Sequence, residues 1–235
     1  MYADDTQLYV SCTHDNVPSF KIERCIDEIR QWMHANMLVL NDGKSEVIRF
    51  SSTFCRKGPP REFSVQVGDA SIHPVPVVRD LRVWLDESGT MSPHVIKLCK
   101  SASYALWKIG KIRNLFDRKS TEKLIHAFVT SRLDYCNSLL FGLPEFELRK
   151  LQVIQNSAAR LVTRIRKFDH ITPVLKSLHW LPVNKRLEFK IACVVYKIIK
   201  GVAPGYMCEL VNVQSGTRTL QSTTAGVVCL QQPLN

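Results

Sequence analysis

Two adjacent carboxylates, Asp4 and Asp5, stand near the start of the chain between Tyr2-Ala3 and the β-favouring run Thr6-Gln7-Leu8-Tyr9-Val10. Neighbouring aspartates repel and make poor strand residues, so a tight turn between two strands suits them. Such a turn would present both carboxylates at a hairpin end, where oxygen ligands hold a hard divalent cation such as Mg²⁺. The same pair also fits two solvated acids at a frayed chain end. Lys44, in the turn Asn41-Asp42-Gly43-Lys44, is a second candidate: its ammonium can offset charge on a phosphate, or simply be solvated. A third group is cationic. Arg160, Arg164, Arg166 and Lys167 gather near one expected helix end, and Lys185, Arg186 and Lys190 near the start of another. Side chains of this kind neutralise backbone phosphates and displace counterions. Nothing among them is patterned to read base edges, so the contact expected is sequence-independent. A solvated cationic face is the alternative.

The elements that must position these groups follow from periodicity. Ile22, Cys25, Ile26, Ile29 and Trp32 or Met33 recur at helical spacing and predict a helix from near Ser19 to Asn36. Lys44 to Ser51 alternates as a strand. Phe63–Val67, Gly68-Asp69 and Ala70–Ile72 read as a hairpin, and Val77 through Leu85 as a further strand. From Met91 onward the pattern is helical. A stripe of Leu98, Ala102, Ala105, Leu106, Ile109 and Ile112 comes first. A second helix capped by Ser120 carries Leu124, Ile125, Phe128, Val129, Cys136, Leu139 and Leu140, and ends at Gly142 and Pro144. A third runs from about Glu145 to Arg166. A short one opens at Thr172-Pro173, and a last one carries Leu187, Ile191, Val194, Val195 and Ile198 up to Gly201. The fold expected is α+β: a small antiparallel sheet with a packed helix over residues 1–90, then an all-α helical bundle over 91–212, then a loose tail over 213–235.

Charge divides in the same way. Up to residue 90 there are ten Lys/Arg against thirteen Asp/Glu, a balance of −3; beyond it there are twenty-two against eight, a balance of +14, within a total of +11. An acidic front and a basic back fit a metal-holding part joined to a part that grips a polyanion. With 45% hydrophobic and 23% charged residues the chain reads as globular. Eight widely spaced cysteines form no Cys-x-x-Cys, so reduced thiols in an intracellular protein are expected. No membrane segment and no small-molecule cofactor motif is apparent.

Three segments stand out: Tyr2-Ala3-Asp4-Asp5-Thr6, Leu40-Asn41-Asp42-Gly43-Lys44-Ser45-Glu46, and Val78-Arg79-Asp80-Leu81-Arg82-Val83-Trp84-Leu85-Asp86. Together they resemble the reverse transcriptase of non-long-terminal-repeat retrotransposons of the Jockey and chicken-repeat kind. The later segments Ser131–Asn137, Leu151–Arg160 and Leu178–Val183 are similar to the stretch after the polymerase core of the same elements. The resemblance implies the second half of a palm followed by a thumb-like helical part. It assigns Asp4 and Asp5 to Mg²⁺, Lys44 to the neighbourhood of the incoming nucleotide, and the hairpin around Arg82 to the primer end. The implied partners are an RNA template and a DNA primer. Two metals would activate the primer hydroxyl and steady the leaving pyrophosphate. Two departures stand out. The third catalytic aspartate, which the family carries on a strand well upstream of the turn, has no counterpart here, where only Met1 precedes Tyr2. Arg82 replaces a glycine usual in the family. The 235 residues are therefore expected not to polymerise DNA alone, and a non-enzymatic nucleic-acid-binding module is the alternative.

Overall fold

The computed structural model describes residues 6–11, 19–51, 63–209, 211–214 and 227–230. It is α+β and divides into two compact units, residues 1–97 and 98–235.

In the first unit, α1 (Ser19–Ala35) forms where the sequence predicts it. Two hairpins follow: β1 (Val65–Val67) pairs antiparallel with β2 (Ala70–Ile72), and β3 (Val77–Asp80) with β4 (Val83–Asp86). They remain separate two-stranded pairs rather than the single small sheet expected. The expected strand over 44–51 is reduced to one bridge, Val47 with Pro74. The cause lies in its partner, His73-Pro74-Val75-Pro76. Two prolines lack the N–H a ladder needs, so only the Val75 N–H reaches the Val47 carbonyl, at 2.9 Å. The expected strand Val77–Leu85 is in fact a hairpin, turned by Leu81 (φ 41°) and Arg82 (φ 70°). Positive φ at both central residues marks the turn whose twist matches paired strands, and it strains a side chain larger than glycine.

Polar ties hold this unit together. The Arg30 Nη2 donates to Asp42 Oδ1 at 2.7 Å, and this bond raises the guanidinium pKa. The pair ties α1 to the 3-10 turn Asp42–Lys44. Gly68 (φ 61°), in the β1–β2 turn, lies directly behind it: a Cβ there would stand 2.6 Å from Asp42 Oδ2 and 2.7 Å from Arg30 Nη2. The Glu23 carboxylate accepts the Gln66 N–H at 3.0 Å, fixing α1 to β1. At the other hairpin Asp86 is buried, 6% exposed, and accepts from Ser88 Oγ, Thr90 N, Thr90 Oγ1 and Met91 N at 2.7 to 2.9 Å. Burial opposes its ionisation, but these donors outweigh it and hold the pKa below the ordinary carboxylate value. The loop it gathers leads into α2 (Ser92–Ile112), where buried His94 accepts the Trp84 N–H on Nδ1 at 3.3 Å.

The second unit is helical. The last part of α2 passes through a 3-10 turn (Arg113–Leu115) into α3 (Arg118–Ile125). The α3 N-cap is Asp117, whose Oδ1 accepts the Ser120 N–H at 3.0 Å, rather than the expected Ser120. The helix expected to continue to Leu140 is broken instead. A π-turn (His126–Thr130) leads to α4 (Ser131–Asp134), Cys136 turns left-handed (φ 49°), and a 3-10 turn covers Asn137–Leu140. The wider turn lets Ile125, Val129 and Leu133 all face inward at four-residue steps, leaving Phe128 and Leu139 outside. Then come α5 (Glu145–Thr163), α6 (Ile171–Ser177) and α7 (Val183–Ile199). α5 stops three residues before the expected Arg166 because Arg164 is left-handed (φ 59°), its N–H returning to the Arg160 carbonyl at 2.8 Å. α6 begins at Ile171 after His170, so Thr172 and Pro173 sit inside its first turn, not at its cap.

Leu151, Ile154, Ala158, Val162, Leu175, Leu178, Val183 and Leu187 fill the core, each large apolar side chain contributing about 1.5–3 kcal/mol. Trp180 is buried edge-on to His126. Buried Gln155 donates to the Leu181 carbonyl at 2.7 Å and Gln152 accepts the Val183 N–H at 2.9 Å, pinning the start of α7 to α5. A short α8 (Gly205–Cys208) follows. Val211–Gln214 (β5) pairs with Val227–Leu230 (β6), where the sequence predicts no regular structure. Among the described cysteines, Cys136 and Cys208 are exposed and Cys25, Cys99 and Cys193 are half-buried, all as free thiols.

Two outcomes test these ties. Gly68→Ala should lower stability by about 2 kcal/mol in denaturant unfolding, through backbone strain and displacement of the Arg30–Asp42 pair. Gly89→Ala, equally left-handed (φ 66°) but with nothing within 4 Å of the new Cβ, should cost about 1 kcal/mol, from strain alone. Burial lowers the His94 pKa. The unfolded chain therefore binds its proton first as pH falls below about 6.5, and stability drains away as pH drops through the folded value. The loss on going from about pH 7 to about pH 5 should be smaller in His94→Gln than in the parent chain.

Candidate nucleic-acid interface

The acidic candidates Asp4 and Asp5 lie outside the described residues, and with them the Mg²⁺ expectation. Lys44 closes the 3-10 turn Asp42–Lys44, its N–H bonded to the Asn41 carbonyl at 3.1 Å, and its side chain is exposed. The Arg30–Asp42 pair fixes that turn, so the backbone under Lys44 is held while the ammonium is in solvent. Among the described residues, no group of three or more His, Cys, Asp or Glu is arranged to hold a metal ion.

The seven cationic candidates separate by what they touch. Arg186 is drawn inward: its Nε donates to the Leu181 carbonyl at 2.9 Å and its Nη1 pairs with Asp134 at 2.8 Å. With its side chain 17% exposed, it is committed to joining α7 to α4 rather than facing a ligand. Arg160 is half-buried and reaches the Asp169 carbonyl at 3.3 Å. Arg164 points back toward the Arg113 carbonyl and Asn114 Oδ1, both at 3.5 Å, beside an open groove also lined by Arg113, Phe116 and Arg118. Arg166 uses its backbone N–H on Asp169 Oδ2 at 3.0 Å, which leaves its exposed side chain outward. Lys167 is exposed beside Phe168. Lys185 pairs with Glu188 at 2.6 Å, and Lys190 is exposed. A solvent-exposed pair of the Lys185–Glu188 kind contributes about 0–1 kcal/mol, too little to withhold Lys185 from a phosphate. The exposed set is thus Arg164, Arg166, Lys167, Lys185 and Lys190, placed on the end of α5, the loop after it and the first half of α7.

A second cationic face lies outside the candidate set, although its lysines stand off the apolar stripe in the sequence. α2 carries Lys97, Lys100, Lys108 and Lys111 and no acid. Tyr104 and Trp107, 56% and 54% exposed, stack with ring centroids 5.9 Å apart and planes 18° from parallel. Lys108 Nζ lies 4.6 Å from the Tyr104 ring centre and Lys111 Nζ 3.9 Å from that of Trp107. Exposed cation–π contacts of this kind contribute about 0.5–1 kcal/mol each. The signal was present in the spacing: Lys100, Tyr104, Trp107, Lys108 and Lys111 recur at helical intervals, opposite Ala102, Ala105 and Ile109.

Among the described residues no helix is long and apolar enough to cross a membrane. Compared with protein-family models, with curated proteins and with solved structures, the chain matches none.

Proposed function

We propose that the chain is a part of an RNA-directed DNA polymerase of the non-long-terminal-repeat retrotransposon kind, comprising the second half of a palm and a thumb-like helical part. In this reading the 235 residues hold nucleic acid by its backbone and do not polymerise on their own. The observation that carries the reading is the β3–β4 hairpin. The segment that resembles the primer-end hairpin turns through Leu81 and Arg82, and Arg82, at φ 70°, occupies the position where the resemblance expects glycine. A left-handed backbone is the reason a glycine would be favoured there. The charge distribution supports the same reading, because the excess of +14 lies in the part that would follow the nucleic acid.

Chemically, the exposed ammonium and guanidinium groups of Arg164, Arg166, Lys167, Lys185 and Lys190 would each neutralise a phosphate and release its counterion. If Mg²⁺ binds, Asp4 and Asp5 are its ligands by resemblance and it would supply charge neutralisation at the transferring phosphate. A purely non-enzymatic binding module is the second reading. It is favoured by the placement of these cations along the chain, all between residues 164 and 190, far in sequence from Asp4 and Asp5.

An RNA–DNA hybrid titrated at several salt concentrations tests both. Affinity should fall log-linearly with salt, and Lys167→Gln/Lys185→Gln/Lys190→Gln should reduce the slope by about two to three. Primer extension with Mg²⁺ should yield no product. Clear incorporation that vanishes in Asp4→Asn would overturn the lack of activity, and salt-independent or absent binding would overturn nucleic-acid binding. If Asp4→Asn/Asp5→Asn alters the affinity for the hybrid, the acidic pair takes part in binding and the module reading fails.

A further inference from the structure

We infer that the outward face of α2 is a stacking platform for unpaired bases, with Tyr104 and Trp107 receiving the bases of a single strand and Lys100, Lys108 and Lys111 its phosphates. The inference rests on the nucleic-acid-binding reading above and names a site and a ligand class that the cationic candidates at α5 and α7 do not imply.

Three observations carry it. First, the rings belong to no core. Ala102, Ala105, Ile109 and Arg113 are the buried side of this helix and its extension, and Tyr104 and Trp107 project from the opposite side with more than half of each surface in solvent. Second, the two rings already stack, 18° from parallel with centroids 5.9 Å apart, so they form a pre-arranged aromatic pair whose outer faces can extend the stack, rather than two isolated side chains. Every base has a π-face, so such a surface accepts bases without regard to sequence. Third, the charge around the rings has one sign. No Asp or Glu occurs between Glu87 and Asp117, while the face carries Lys100, Lys108 and Lys111. An apolar protein partner would leave these ammonium groups without counter-charge, whereas a nucleic-acid strand supplies a phosphate for each base it stacks.

The lysines also explain how the face stays soluble and how it would open. Lys108 and Lys111 now lie over Tyr104 and Trp107. Their flexible stems let the ammonium groups swing from ring to phosphate as a base takes their place. Duplex bases are already stacked on one another and cannot reach the rings. The platform therefore distinguishes single strands from duplexes, which backbone contacts alone do not.

The test uses the full chain, a fluorescein-labelled oligo-U and oligo-dT of about 20 nucleotides, and a duplex of equal length, with affinities from fluorescence anisotropy. Tyr104→Ala/Trp107→Ala should weaken single-strand binding by roughly tenfold or more and duplex binding by less than about threefold. Trp107→Phe should retain most of the affinity but lose the quenching of tryptophan emission that a stacked base produces. Because both side chains are exposed, circular dichroism of the variants should match that of the parent chain. If the parent binds both nucleic acids and the double alanine variant is unchanged, or loses both equally, the platform is refuted while nucleic-acid binding stands. If the parent binds neither, both readings fall. If the parent sediments as a dimer that the double variant dissociates, with single-strand affinity unaltered, the face is a self-association surface and the inference is wrong.

Discussion

The helical unit depends on one buried cation. Arg113, 7% exposed, sends its Nε to the Leu161 carbonyl at 2.8 Å, its Nη2 to the Val162 carbonyl at 2.9 Å and its Nη1 to the Phe116 carbonyl at 2.7 Å. Burial, and after it the charge of Arg164, both work against the guanidinium and lower its pKa. Removing such an ion from water costs several kcal/mol, so the arrangement is stable only because the planar fork meets three acceptors at once. Two of those acceptors are carbonyls at the end of α5, groups with no partner inside their own helix. A positive charge at a helix C-terminus also sits well with the helix dipole. The clamp does more than join elements. Arg113 lies in line with Ala102, Ala105 and Ile109, so fixing it inward fixes the rotation of the end of α2. Tyr104, Trp107 and their lysines are then left on the outer side.

The N-terminal unit solves a different problem with similar means. It has short hairpins and an α1 with no fully buried residue, so apolar burial alone is sparse. Carboxylates take over the organising role: Asp42 fixes the turn under Lys44, and Asp86 gathers the loop into α2 with four donors. Both acids are accepted in partly dry surroundings because each has well-placed donors. Trp84, at the hairpin, lies between cations, with Lys97 Nζ 2.8 Å and Arg79 Cζ 5.7 Å from its ring centre. The whole unit is built of local corrections to awkward backbone, as Gly68 and Arg82 also show.

Much of this was legible in the chain, and the rest failed for identifiable reasons. α1 and α7 follow their apolar stripes closely, because a 3.6-residue period is a property of the sequence itself. The break after Ile125 was not legible, since the π-turn inserts a residue per turn without altering composition. Asp117 and Ser120 are both good caps three residues apart, and only the structure shows which one accepts from the other. The strand over 44–51 failed because its partner carries Pro74 and Pro76, a constraint that lives outside the segment being read. Arg186 was read as a surface cation, yet its partner Asp134 is distant in sequence, and no local pattern reveals that. Tyr104 and Trp107 stand off the apolar stripe at helical spacing, but spacing alone does not show that two such rings stack on each other.

Amide hydrogen exchange on Arg113→Lys tests the clamp most directly. Lysine keeps the charge but not the fork, so the account predicts faster exchange in two segments together, Ile109–Phe116 and the last turn of α5 up to Arg164, with the middle of α7 unchanged. Exchange that is unaltered in both segments, or that rises evenly throughout the helical unit, would contradict it.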